Sequence, residues 1–294
     1  MQENKLQKYL LLHFIVFIWG FTAVLGKLIH ISAIPLVWYR LLIAVITMGI
    51  VVALNKQKTK ITAKSILHFS IGGIIIGLHW LTFFYAIKIS NISITLATLA
   101  TGAFFTSILE PLFLKKQIKA YELFFAGITV LGIIYIYNVE IKYSLGILVA
   151  LLSAFLSALF SVINSTYVKK YDPRNLTFYE LIFALITISF FVIGNTTIHL
   201  NEITSNKMDI FYLIILGTIC TAYAMTASSR LLRSISPFTM MLTINLEPVY
   251  GIALAILLFK DTEKMSAHFY IGAIIILITV ILNGILKLNK KKQS

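Results

Sequence analysis

The 294-residue sequence is short of charge and almost empty of cysteine: 12% of its residues are Asp, Glu, Lys or Arg, and Cys220 is the sole thiol. That charged share is about half of what a soluble domain carries. A single cysteine excludes an internal disulfide and a cysteine-based metal site, and it says nothing about redox compartment. No GxxxxGK[ST] phosphate loop is present, so ATP-driven transport within this chain is excluded. His13, His30, His68, His79, His199 and His268 are scattered over different segments without an HExxH-like pair, so no metal or other cofactor is expected. A clustered acid/base or nucleophile constellation is also missing, and the chain is not expected to be an enzyme.

What is abundant is apolar length. With 59% apolar or aromatic residues, the sequence has too few charges to face water on all sides. Its solvent is expected to be largely lipid. Apolar stretches lie near Tyr9 to Ile29, Pro35 to Leu54, Ser65 to Ile87, Ile92 to Leu114 and Ala120 to Tyr137. They continue near Leu145 to Val168, Leu176 to Ile198, Ile210 to Leu232, Pro237 to Phe259 and Ala267 to Leu286. Ten spans of about 20 residues use roughly 200 residues, which leaves room for loops and tails but for no large extramembrane domain. The stretches are too long for barrel strands and do not alternate, so the fold class is an all-α integral membrane protein. The first run is preceded by Lys5 and Lys8 but has span length and no small-residue cleavage site, so it reads as a transmembrane helix, not a signal peptide.

Charge sets orientation. Lys plus Arg number 25 against 11 Asp plus Glu, a formal +14. With a cytoplasmic N-terminus, the inside segments hold 18 basic residues: Lys5, Lys8, Lys56, Lys58, Lys60, Lys64, Lys115, Lys116, Lys119, Lys169, Lys170, Arg174, Arg230, Arg233, Lys287, Lys290, Lys291 and Lys292. The outside segments hold 6, namely Lys27, Lys88, Lys142, Lys207, Lys260 and Lys264, and Arg40 lies within a span. This imbalance predicts a multi-pass protein of the cell inner (plasma) membrane with both termini cytoplasmic. It removes any need for a nucleic-acid partner.

The chain also reads as a repeat. A shift of 145 lays Tyr85-Ala86-Ile87-Lys88 on Arg230-Leu231-Leu232-Arg233 and Phe124-Phe125-Ala126-Gly127 on Phe269-Tyr270-Ile271-Gly272. A shift of 140 lays Trp38-Tyr39-Arg40 on Phe178-Tyr179-Glu180. Five helices per half is an odd number, so the halves enter the membrane in opposite senses, an arrangement that in secondary transporters places the substrate path between them. The expected units are residues 8–138 and 145–287, followed by a basic cytoplasmic tail at 288–294. The Glu-Pro pairs at 110–111 and 247–248 are 137 apart, out of register with the repeat, and are not equivalent.

Trp19-Gly20-Phe21, Trp38-Tyr39-Arg40, Tyr85-Ala86-Ile87 and Leu246-Glu247-Pro248-Val249, together with Gly127 and Gly272, resemble the pattern of EamA-type permeases in the drug/metabolite transporter (DMT) superfamily. The resemblance covers almost the whole chain. It implies export of small metabolites or drugs through a central cavity walled mainly by helices 1, 3, 4, 6, 8 and 9. Departures are Ala103, where the family's first half often carries proline, and Ile118, near which the usual acidic residue before helix 5 is missing. Small multidrug relatives couple to protons through an acidic residue in helix 1, and helix 1 here has none.

Within the spans, Glu247-Pro248 is the strongest local signal. Pro248 leaves the Ile244 carbonyl without its helical donor, and a carboxylate at mid-membrane must face water, protein or substrate. Glu247 with Asn245 reads either as a substrate site or protonatable switch, or as a structural kink. Trp19, His79, Phe83 and Tyr223 lie on helices that the resemblance assigns to the cavity, and are read as lining residues or as ordinary membrane core. Glu110 is shallow enough to reach Lys115, as a gate, an ion pair or a plain helix-end carboxylate. Arg40, about five residues into helix 2, is within snorkelling reach of the outer headgroups and reads as an orienting or interface residue, or as part of a gate or ion pair; direct pairing with Glu180 is not expected. The serine stripe Ser153, Ser157, Ser161 and Ser165 reads as tight packing or as a polar path through Asn164. The expected function is a secondary transporter exporting a small metabolite, amino-acid-like or aromatic, or a drug-like compound, by alternating access. Uptake or exchange, an intramembrane enzyme and a lipid-handling scaffold stay open. The partners are a small-molecule substrate and the bilayer, and whether two copies pair is also open.

Overall fold

The computed structural model describes residues 5–54, 62–115, 117, 120–194 and 206–292, and every secondary-structure element among them is helical. Lys56, Lys58, Lys60, Lys116, Ile118, Lys119 and His199 lie outside the described residues, as do the end of the seventh expected span (195–198) and the last two residues of the tail. In the first half, α1 (Lys5–Leu28), α2 (Ala33–Leu54) and α3 (Ala63–Ile89) precede a rod broken into α4 (Ile92–Leu99) and α5 (Gly102–Leu114), then α6 (Ala120–Val139). A 3-10 turn at Ile141–Tyr143 leads into the second half, where α7 (Ser144–Tyr167) and α8 (Pro173–Gly194) come first. There α9 (Lys207–Gly217) and α10 (Ala224–Leu231) are joined by a π-helical turn at Thr218–Tyr223. The next rod is broken into α11 (Pro237–Ile244) and α12 (Glu247–Phe259), and α13 (Ala267–Lys292) ends the chain.

Eight of these rods are long and apolar enough to cross a membrane; the apolar stretches in α6 and α13, Gly127–Val139 and Ala267–Thr279, are shorter. The outer surface suits lipid. Leu257 and Phe190 are 73% and 70% exposed, as an apolar belt requires and a water-facing surface avoids.

Local chemistry sets the helix ends. Thr62 and Ser65 form a reciprocal capping box at the start of α3, Asn91 accepts from the Ile94 amide at α4, and Ser236 followed by Pro237 opens α11. Two rods are interrupted for different reasons, only the second of them marked by a proline in the sequence. Pro248 cannot donate to Ile244, and α11 stops at Ile244. Between α4 and α5 no proline is involved: the Thr101 hydroxyl bonds back to the Thr98 carbonyl at 2.7 Å and Gly102 follows, so backbone and side chain compete for the same acceptor.

The tightest helix contact is between α3 and α8. A Cβ on Gly73 would stand 2.5 Å from the Glu180 carbonyl oxygen and 2.9 Å from the Ala184 nitrogen, so the two backbones touch there. Gly73 and Gly77 form the small-xxx-small spacing that lets membrane helices approach this closely.

Polar contacts clamp each end of the bundle. At one end, Lys27 pairs with Glu263 at 2.6 Å, and Glu263 accepts from the Ile92 and Ser93 amides at 3.1 and 3.0 Å. At this end His30 also meets Asp209 at 3.0 Å, and Lys88 donates to the Ile29 carbonyl. At the other end, Arg233 donates to the carbonyls of Val168 and Tyr171, both at 2.8 Å. Glu110 accepts from the Phe238 amide at 3.2 Å. The ends of α1, α3 and α12 therefore meet the starts of α4 and α9, and those of α5, α7 and α10 meet the starts of α8 and α11.

Candidate functional site

A cavity of about 90 Å³ lies in the middle of the bundle. Allowing about 30 Å³ per water, it holds roughly three waters. Elements α1, α3, α4, α7, α10, α11 and α12 supply its walls, and α2 contributes Arg40. The resemblance omitted α2 from the walls.

Arg40 overturns its expected placement. The side chain is 1% exposed, its guanidinium lies 4.2 Å over the Trp80 ring and 5.3 Å from that of Phe84, and Nε donates to Thr221 Oγ1 at 2.6 Å. Nη1 has no hydrogen-bond partner. It does not snorkel, because aromatic faces and a hydroxyl hold the cation inside the bundle, where a cation–π contact is strengthened by loss of water. Helix α2 begins at Ala33, which sets Arg40 roughly 10 Å along its axis.

Thr221 can do this because the helix around it is wound wide. Its hydroxyl also reaches the Leu216 carbonyl, five residues back, at 2.6 Å, within the π-helical turn. A π turn shifts the faces of the residues that follow it. Tyr223 is displaced accordingly: it is 48% exposed on the outer surface, and Met225 and Ser228 line the cavity instead.

Glu247 reaches the cavity from the start of α12 and is 6% exposed. Arg40 and Glu247 both line this space. Trp19, His79 and Phe83 are among its lining residues. His79 Nδ1 lies 2.9 Å from both the carbonyl and the hydroxyl of Ser153, which fixes the ring, and Phe83 stands one turn on with its centroid 6.1 Å away. Of the serine stripe, Ser157 and Ser161 face the cavity, Ser153 holds His79 and Ser165 bonds back to Val162, so the stripe serves both packing and lining.

The remaining candidates lie elsewhere. Asn245 is 1% exposed at the break between α11 and α12, with neither amide atom partnered, and is not among the lining residues. Asn164 faces Glu180 instead of the cavity. Glu110 is 2% exposed and accepts from the Phe238 amide at the start of α11, where a helix N-terminus attracts a carboxylate. Sequence reasoning missed Trp80, Thr221 and the methionines Met225, Met240 and Met241. The neighbour of His79 could have been suspected from its aromatic character; the others need the three-dimensional crossing of α2, α10 and α11.

Two segments of the chain, residues 6–138 and 144–285, match the EamA-like transporter family. The chain belongs to this family. No curated protein matches the sequence significantly. One solved crystal structure of a protein shares the fold of this EamA-like transporter with a TM-score of 0.68 over 96% of this chain and 98% of its own, at 13% identity. In this multi-pass family member, then, the buried Arg40 and Glu247 are polar groups of a transporter's interior, where intramembrane charges mark substrate or ion paths.

Proposed function

We propose that the chain is a secondary transporter that exports a small, amino-acid-like metabolite by alternating access of two inverted halves of five spans each. The observation that carries this reading is the central cavity with Arg40 and Glu247 as its two charged poles. A zwitterion presents a carboxylate that the free Nη1 of Arg40 can bind and an ammonium that Glu247 can accept. Trp19 and Phe83 offer flat apolar walls to the rest of the molecule. The small volume favours compact solutes over drug-sized ones, whose pockets run to about 300–1,000 Å³. The matching break in each half, at Ala100-Thr101 and at Asn245-Leu246, supports paired moving rods around a fixed site. Outward direction follows the family resemblance, and the inner-membrane orientation with cytoplasmic termini follows the basic loops.

Counterflow in proteoliposomes tests it. Vesicles preloaded with unlabelled alanine, serine or glycine should accumulate the labelled compound, while acidic and basic amino acids exchange poorly. Glu247→Gln should cut exchange at least tenfold with insertion intact. Absence of exchange for every compact zwitterion, or full exchange by Glu247→Gln, overturns the reading.

A further inference from the structure

Most buried carboxylates among the described residues have a close donor or open space, whereas Glu180 has a single long hydrogen bond from the Asn164 amide and one oxygen without a partner. Glu110 accepts from an amide, Glu140 from the Ser266 hydroxyl, Asp209 from His30, Glu263 from Lys27, and Glu247 opens on the cavity. Glu180, on α8, is 0% exposed; Oε1 has no hydrogen-bond partner and Oε2 is 3.5 Å from Asn164 Nδ2. Around it are further oxygens with nothing to bind. Asn164 Oδ1 is unpartnered on α7, and so is Thr177 Oγ1, one turn before Glu180 on the same helix; these residues are 1% and 0% exposed. On the α3 side Gly72 packs against the carboxylate: a Cβ there would fall 2.4 Å from Oε1.

A lone carboxylate in such a place cannot stay charged without a counter-ion. The titratable side chains on the neighbouring elements do not supply one. His68 and His79 on α3 bond Tyr171 and Ser153, and Arg40 on α2 bonds Thr221. Tyr167 on α7 stacks on His68, Arg230 lies on α10, and Arg174 on α8 itself bonds Asp172. None of them forms an ion pair or hydrogen bond with Glu180. One negative charge flanked by neutral oxygens calls for a single positive charge and a hard ion. Toward the central cavity, Ser161, one turn before Asn164 on α7, is a lining residue and has an unpartnered hydroxyl.

We infer that Glu180, Asn164 and Thr177 form a site for a small monovalent cation, H⁺ or Na⁺, reached from the central cavity past Ser161. Use of this cation to drive the substrate step rests on the transporter reading above; the binding itself does not.

Binding is therefore read without substrate. Thermal unfolding of the purified chain is followed in NaCl and in N-methyl-D-glucamine chloride at matched ionic strength, and the infrared carboxylic-acid band is followed as pH is raised through neutrality. A Na⁺ site gives a melting temperature that rises with NaCl in the parent chain and not in Glu180→Gln. A proton site gives an acid band that is missing in Glu180→Gln and fades from the parent as pH rises. Asn164→Ala keeps the carboxyl and should weaken Na⁺ by roughly tenfold or more, or move the midpoint of the acid band. Coincidence of the parent with both variants in both arms overturns the site, as does an acid band from Glu180 that neither pH nor Na⁺ alters. Either failure leaves the exchange assay with compact zwitterions unaffected.

Discussion

Arg40 and Thr221 are joined by a 2.6 Å hydrogen bond that links the first half of the chain to the second at the level of the cavity. The bond depends on the π turn, which turns the Thr221 hydroxyl toward both the Leu216 carbonyl and the guanidinium. Arg40 is thus held at Nε and over Trp80, with Nη1 unpartnered.

Arg40→Lys should abolish most exchange. A lysine keeps the charge but loses the planar stacking and the fork of donors. Losing a hydrogen bond to a charged group is worth about 1.5–3 kcal/mol, or roughly tenfold to a hundredfold in substrate affinity. The measurement is the half-saturation concentration in counterflow, with expression and insertion as controls; parent-like affinity in Arg40→Lys would contradict the assignment.

Thr221→Val tests the support of that arginine separately from its charge. Valine fills the same volume and removes the acceptor, so Arg40 remains but is less well aimed. Substrate affinity should fall about fivefold to tenfold, close to one hydrogen bond of about 1 kcal/mol, and less than in Arg40→Lys. An effect as large as that of Arg40→Lys would mean that the π turn itself had collapsed.

The sequence made some of this legible and hid the rest for physical reasons. Length, hydropathy and Pro248 were sufficient for the helical rods and for the break after Ile244. The break before Gly102 was not legible, because a threonine hydroxyl bonding its own backbone leaves no proline behind. Tyr223 was read as lining because its helix belongs to the cavity walls of the resemblance, which does not say which face it turns inward, and a π turn that the sequence does not announce lies at that place. Arg40 was placed at the headgroups because its distance from the helix start was the only guide; its aromatic and hydroxyl partners come from α3 and from the π turn, far along the chain. Trp19, His79, Phe83 and Glu247, which line the cavity, stood out as candidates because they lie deep in apolar helices.

Glycine substitutions separate contact from composition. Gly73→Ala puts a methyl 2.5 Å from the Glu180 carbonyl oxygen, an atom that cannot move aside without shifting α8. Overpacking of this kind costs about 1–3 kcal/mol, so the melting temperature in detergent should fall. Gly127→Ala meets nothing within 4 Å and should be neutral or stabilising by up to about 1 kcal/mol through helix propensity. Equal melting temperatures for the two variants would show that α3 and α8 are not in backbone contact.

The clamp at the end of α1 yields an asymmetric prediction. Lys27 contributes one partner to Glu263, with its ammonium also 2.8 Å from the Thr262 hydroxyl and 4.6 Å from the centre of the Phe259 ring. Glu263 contributes more, since it also receives the Ile92 and Ser93 amides and so fastens the start of α4 to the loop after α12. Lys27→Met removes the ion pair but leaves those amides capped. Glu263→Gln replaces one acceptor oxygen with an NH₂ group that opposes an amide N–H, so it disturbs both attachments. In a chain with Cys220→Ser and a reporter cysteine at Leu99, which lines the cavity, a membrane-impermeant maleimide should label faster from the side where α1 ends. The acceleration should be larger for Glu263→Gln than for Lys27→Met and missing from the opposite side. Unchanged labelling in both variants would mean that these contacts hold the loop in place without closing the path to the cavity.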